Sequence, residues 1–248
     1  MSRVVAIANQ KGGVAKTTTT LSLAVALAER NRVVIAVDLD PQGALTYSMG
    51  VDPDALDETV NDVLVRKLPI EKVLISREVD LVPSNIDLAG AEALLLAKTG
   101  REFALQRALR EIVDRYDYVL IDCPPSLGIL TINGLTAAHE VLIPLQCEAL
   151  SHRGVGQLLE TLEDIRHFTN PGLRIGGLIP TLYDGRSRHA REVLQDVGER
   201  YGVRVFEPPV RKSIRFAEAV QAGKSILAYA PGHPGAQAYR LFADCLDQ

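Results

Sequence analysis

The stretch Ala8-Asn9-Gln10-Lys11-Gly12-Gly13-Val14-Ala15-Lys16-Thr17-Thr18-Thr19-Thr20 decides how this chain is read. An apolar run, Val4-Val5-Ala6-Ile7-Ala8, leads into it. Leu21, Leu23, Ala24, Leu27 and Ala28 follow at helical spacing. The order is strand, glycine-bearing loop, helix. In that order the loop amides and the helix N terminus together hold phosphate. Lys16 reaches the outer phosphates as a point charge, and Thr17 offers its hydroxyl to Mg2+. The strict pattern G-x-x-x-x-G-K-[ST] is missed twice, with Gln10 at the first glycine and Ala15 at the second. A Gly-Gly turn with incidental lysines is the competing reading, and the rest of the chain decides between them.

Two acidic clusters stand at the ends of other apolar runs. One is Asp38-Leu39-Asp40-Pro41-Gln42-Gly43, the other Asp122-Cys123-Pro124-Pro125-Ser126. A carboxylate at the end of a buried strand is costly unless it is paired or near a metal. Beside a magnesium nucleotide each has a task. Asp122 is expected to hold Mg2+ through water, and Asp40 to position or activate the attacking water. Asp38 is expected to orient Lys16 or join the metal shell. The alternative is that Asp38 and Asp40 only cap turns, helped by Pro41 and Gly43. Cys123 reads as a small buried residue, since no His lies near it in sequence.

Outward from these clusters, short apolar runs alternate with longer helical patterns. The expected strands are 3–8, 33–38, 79–82, 117–122, 140–145, 174–179 and 203–206. The expected helices are 17–30, 58–66, 87–98, 102–115, 128–138, 152–168, 187–201, 214–222 and 234–246. Nearly all-apolar strands suit a mostly parallel sheet covered by helices on both faces. The fold class is therefore α/β and doubly wound, with ligand at the carboxyl ends of the strands. Residues 1–248 read as a single domain, with the polar stretch 50–76 capping one edge.

Composition narrows the function. Aromatic residues make up 5% and tryptophan is absent, which argues against a stacking platform for single-stranded nucleic acid. Cys123, Cys147 and Cys245 are odd in number and widely spaced, which favours reduced cytoplasmic thiols. No signal peptide or membrane-spanning run is visible. Net charge is −4, yet residues 171–224 hold ten Lys and Arg against six Asp and Glu. A basic region on an acidic chain is an electrostatic footprint.

Lys11-Gly12-Gly13-Val14-x-Lys16-Thr17-Thr18 resembles the deviant Walker A box of P-loop NTPases. The two acidic clusters resemble its partner boxes. Together they resemble the ParA/Soj partition ATPases of the wider ParA/MinD superfamily. The likeness continues through residues 130–138, Pro144-Leu145-Gln146-Cys147-Glu148 and Thr181-Leu182-Tyr183-Asp184-Gly185-Arg186. It implies an ATP-dependent homodimer closed around two ATP and Mg2+, with Lys11 reaching the partner's nucleotide and Gly12 kept small. It implies a nucleotide site built from Lys11, Gly12, Gly13, Val14, Ala15, Lys16, Thr17 and Thr18, with Arg211 and Ser213 beside the base. Thr17, Asp38 and Asp122 would serve the metal. It further implies slow ATP hydrolysis stimulated by a ParB-type centromere-binding partner, and non-specific double-stranded DNA binding through Arg186, Lys212 and Arg215. Arg188, Arg191 and Lys224 would widen that patch, and His189 reads as a surface residue. Location would be cytoplasmic and nucleoid-associated.

The chain departs from this family twice. Ala15 stands where the family has glycine, so its Cβ is expected to strain the loop or crowd the phosphates. Arg211 stands where the family has a proline that helps hold adenine. Two other readings compete. A MinD-like membrane-positioning ATPase would carry a basic amphipathic C terminus, but residues 239–248 hold one Arg and two Asp. A metabolic enzyme on the same fold is the other; fold alone does not separate it.

Overall fold

The structure, a computed structural model, describes residues 2–147 and 151–248. Glu148 lies outside the described residues, as do the side chains of Arg188, His189 and Arg191. The strands are β1 (Arg3–Ile7), β2 (Val34–Asp38), β3 (Ile75–Ser76), β4 (Asp80–Val82), β5 (Tyr118–Asp122), β6 (Glu140–Gln146) and β7 (Arg174–Thr181). They form one sheet in the order β3-β4-β2-β5-β1-β6-β7. The β3–β4 pair is antiparallel, and the other pairings are parallel. The helices are α1 (Lys16–Ala28), α2 (Ala44–Ser48), α3 (Val60–Arg66), α4 (Leu88–Leu96), α5 (Ala104–Leu109) and α6 (Ile129–Ala137). They continue as α7 (Ser151–Phe168), α8 (Arg188–Tyr201), α9 (Ile214–Gln221), α10 (Ile226–Tyr229) and α11 (Pro234–Leu246).

Alternate side chains of each central strand enter opposite cores. Val4 and Ala6 of β1, with Ile35 and Val37 of β2, meet the layer that includes α3 to α7. Val5 and Ile7, with Val34 and Ala36, meet α1 and α11. This two-sided burial explains why the strands read as continuous apolar runs. It is the doubly wound, mostly parallel architecture that the alternation of elements predicts.

Several expected elements are altered. The run 203–206 makes one parallel bridge, Leu178 to Val205, before Pro208 and Pro209 turn the chain away. The single helix expected over 102–115 is interrupted. Only 104–109 is α-helical, between two short 3₁₀ turns. The side chain of Asn133 accepts from the Leu105 amide (3.0 Å) and fixes where that helix begins. The elements α2, β3 and α10 are too short to show a period in the sequence.

Register places the functional edge. Ile7 and Asp38 both stand opposite Asp122 on the flanking strands. Three strand ends are therefore level, and the loop after Ile7 leaves from the same edge as both aspartates. Among the described residues no helix is long and apolar enough to cross a membrane.

Candidate functional site

The loop from Asn9 to Ala15 is held at three points. Asn9 donates from Nδ2 to the Pro144 carbonyl (2.7 Å) and accepts the Lys11 amide on Oδ1 (3.0 Å). The Thr181 hydroxyl, at the end of β7, donates to the Val14 carbonyl (2.9 Å). Lys16 Nζ folds back to donate to the Lys11 carbonyl (3.1 Å). Lys11, Gly12 and Gly13 are exposed, Val14 and Lys16 buried, and Ala15, Thr17 and Thr18 half-buried. The sequence pattern singled out neither Asn9 nor Thr181, because each works through contacts distant in sequence.

Two positions of the loop are left-handed. Gly13 has φ +73° with open space around it. Ala15 has φ 63° and ψ 35° directly before α1. A Cβ in that region costs about 1–2 kcal/mol against glycine. The departure from the strict motif at Ala15 is thus a real strain point. At Gly12 an added Cβ would meet only Pro125, at 3.8 Å. The chain itself leaves room there, so any demand for glycine at position 12 comes from a ligand or another molecule.

The N terminus of α1 has no side-chain cap and no acidic residue in its first turn. Its amide dipoles are left for an external anion. Beside it, Thr17 Oγ1 donates to Asp122 Oδ2 (2.7 Å), and Thr20 Oγ1 donates to Asp122 Oδ1 (3.1 Å). Asp38 accepts from the Thr46 amide (2.9 Å) and hydroxyl (2.8 Å) on Oδ2, and from the Asp40 amide (3.1 Å) on Oδ1. Asp40 Oδ1 caps its own turn by accepting the Gln42 amide (3.0 Å). The turn-capping reading of this cluster is therefore part of its geometry. Thr20 and Thr46 are site residues that no motif flagged.

Charge is frustrated here. Asp38 and Asp122 are fully buried neighbours. Burial, and then the charge of Asp38, push Asp122 up to about 8. Burial raises Asp38 to about 6 despite its three hydrogen bonds. Burial lowers Lys16, against the pull of Asp122. Two buried carboxylates with one buried lysine ask for a further cation. Hydroxyl and carboxylate oxygens already side by side suit Mg2+, which takes hard oxygen donors. Cys123 and Cys147 are buried, and burial raises both thiols, Cys147 to about 11. Among the described residues no three His, Cys, Asp or Glu side chains form a metal-binding group.

The basic candidates gather at the neighbouring end of the sheet. Arg186, Arg211 and Lys212 line one cleft of about 550 Å3, together with Tyr183 and Asp184. Tyr183 bridges to Arg211 in parallel, just beyond the Thr181 contact to the loop. Arg186 is almost wholly exposed, with Asp184 beside it at 3.2 Å. Arg215 is not part of that lining and pairs with Glu218 at 2.8 Å. The Ser213 hydroxyl accepts the Arg215 amide (3.3 Å) at the start of α9 and lies 3.1 Å from His233 Nε2. That hydroxyl is engaged in holding α9. The C-terminal helix α11 turns Ala236, Tyr239, Phe242 and Leu246 into the core.

A family profile described as an AAA domain matches residues 2–175. The chain is 40% identical to a chromosome partitioning protein ParA of Myxococcus xanthus, over 96% of this chain and 86% of that protein. A structure described as cobyrinic acid a,c-diamide synthase of Mycobacterium smegmatis, with ADP and magnesium bound, is 52% identical at TM-score 0.89. That match covers 99% of this chain and 94% of the other. The cell-division ATPase MinD of Pyrococcus furiosus is 28% identical at TM-score 0.82, over 100% and 99% of the two chains.

Two outcomes follow from the site. Ala15→Gly should raise stability by about 1 kcal/mol, read as the shift in urea midpoint at constant slope; no shift would mean the left-handed geometry is not strained. An acid raised in the folded state favours the fold below its unfolded value, near 3.8, and loses that advantage as pH rises through its folded value. The nucleotide-free protein should therefore weaken as pH climbs, through Asp38 to about 6 and through Asp122 to about 8. Asp122→Asn should abolish the loss between about 6 and 8 in thermal melts; an unchanged slope there would contradict the buried-pair geometry.

Proposed function

Because the chain belongs to the ParA/MinD superfamily of ATPases, we propose that it is an ATP-driven DNA-partition protein. It forms a nucleotide-dependent homodimer and hydrolyses ATP slowly until a ParB-type protein stimulates it. ATP and Mg2+ are its cofactors, as the likeness to a structure holding ADP and magnesium supports. The observation that carries the reading is the meeting of Lys16, Thr17, Asp38 and Asp122 beside three level strand ends, with Lys11 exposed in the loop between β1 and α1.

The roles divide by position. Gly12, Gly13, Val14, Ala15 and Thr18 shape the loop whose amides meet the phosphates. Lys16 neutralises the outer phosphates. Thr17 and Asp122 hold Mg2+, with Asp38 supporting the metal shell through water. Magnesium, when bound, supplies charge that stabilises the phosphate oxygens. Asp40 positions the attacking water. Lys11 belongs to the neighbouring protomer's nucleotide, so it adds positive charge only in the dimer. Arg211, which bridges to Tyr183, and Ser213, at the start of α9, would border the base. DNA phosphates are met by Arg186, Lys212 and Arg215, which carry affinity without base readout.

The M. smegmatis likeness favours a second reading, an ATP-dependent amide synthase. Taking nitrogen from glutamine would need an activated thiol; the Cys123 and Cys147 thiols are buried and raised, and Cys245 stands half-buried on α11, away from the loop. The membrane-positioning reading needs a free amphipathic helix, and α11 is not one, since its apolar face packs in the core.

Gel shifts with random duplex DNA separate these readings. Binding should require ATP, be absent with ADP, and fall at least tenfold in Arg186→Ala and Arg215→Ala. Binding indifferent to nucleotide and to both arginines would sink the partition reading. An ATPase rate raised by cobyrinic acid with ammonium, and unmoved by DNA, would favour the synthase.

A further inference from the structure

Away from the nucleotide edge, a cavity of about 650 Å3 opens between α3, the C-terminal end of α4 and α5. Its size is that of a ligand or peptide-anchor pocket. Leu64, Leu95 and Ala104 form a buried apolar floor. Lys67, Lys98, Arg101 and Arg107 stand around it, with Glu111 as the acid among the lining residues. Glu102 pairs with Arg101 at 3.0 Å. Two of the cationic heads are fixed by the main chain. Lys98 Nζ donates to the Val65 carbonyl (2.5 Å), and Arg101 Nη1 to the Leu96 carbonyl (2.7 Å). A positive rim over an apolar floor, on a chain of net charge −4, is complementary to acidic groups flanking apolar ones.

We propose that this cavity docks an acidic segment of a partner protein, which anchors apolar side chains on the floor and sets carboxylates against the rim. The rim cations come from three separate stretches: after α3, after α4, and within α5. They match carboxylates spaced along a peptide better than they converge on one small anion. Groove recognition of an amphipathic segment works this way, with apolar anchors for affinity and flanking charge for orientation. Hydrogen bonds also link this wall to the loop that follows Asp122. Asn133 of α6 holds this wall through the Leu105 amide (3.0 Å) and the Arg101 carbonyl (2.9 Å). The helix α6 begins immediately after the loop that follows Asp122, and Thr131 of α6 donates to the Ser126 carbonyl in that loop (2.6 Å). None of this depends on DNA partition as the protein's role.

Fluorescence anisotropy on the full chain tests the proposal. The probe is a dye-labelled helical peptide with Leu on one face and Glu on the other, alongside its Lys-for-Glu counterpart and octanoate. The acidic peptide should bind. Its affinity should fall at least tenfold in Lys67→Glu/Arg107→Glu, and in Ala108→Phe, whose ring fills the cavity. It should be unchanged in Arg186→Glu/Lys212→Glu. Circular dichroism melts accompany each variant, with Lys67→Gln/Arg107→Gln replacing a charge reversal that fails to fold. Equal binding of the Lys peptide, equal loss in the Arg186/Lys212 variant, insensitivity to the Lys67/Arg107 change, or displacement by octanoate at similar concentration would each overturn it.

Discussion

Asp38 and Asp122 occupy one register position on adjacent parallel strands, and neither reaches solvent. Two like charges in that setting are unfavourable unless something positive joins them. The surrounding structure supplies part of the remedy. Thr46 and the Asp40 amide satisfy Asp38, Thr17 and Thr20 satisfy Asp122, and Lys16 is drawn inward. The remainder of the remedy, in the proposed function, is Mg2+ with its nucleotide. Stability is given up at this edge so that ligand binding restores it.

The fold was largely legible because its main signal is burial. Strands covered on both faces read as runs such as Val34-Ile35-Ala36-Val37, and helices one face deep read at helical spacing. What stayed hidden was short or set by distant contacts. The expected strand at 203–206 became one bridge because consecutive prolines follow it. The expected helix over 102–115 broke where Asn133, far along the chain, takes the Leu105 amide.

The candidate site divides in the same way. Lys16, Thr17, Asp38, Asp40 and Asp122 could be named from their places after apolar runs, and Lys11 to Ala15 and Thr18 through the family resemblance. Asn9, Thr20, Thr46 and Thr181 could not, since only the folded sheet brings them to the loop and the aspartates. Ala15 sits between the two cases. Its mismatch was visible in the sequence, but that it carries left-handed strain is a fact of the structure. The basic candidates also separate: Arg186, Arg211 and Lys212 share a cleft, whereas Arg215 stands on α9 with Glu218.

In the proposed function, this half-neutralised site is completed by nucleotide and by a second copy of the chain, through Lys11. Sedimentation velocity of the wild-type protein and of Lys11→Ala, each with Mg-ATP, Mg-ADP or no nucleotide, tests it most directly. Wild type should dimerise with Mg-ATP alone, and Lys11→Ala should bind one nucleotide per chain yet stay monomeric. A dimer that forms without ATP, or one that Lys11→Ala leaves intact, would contradict it.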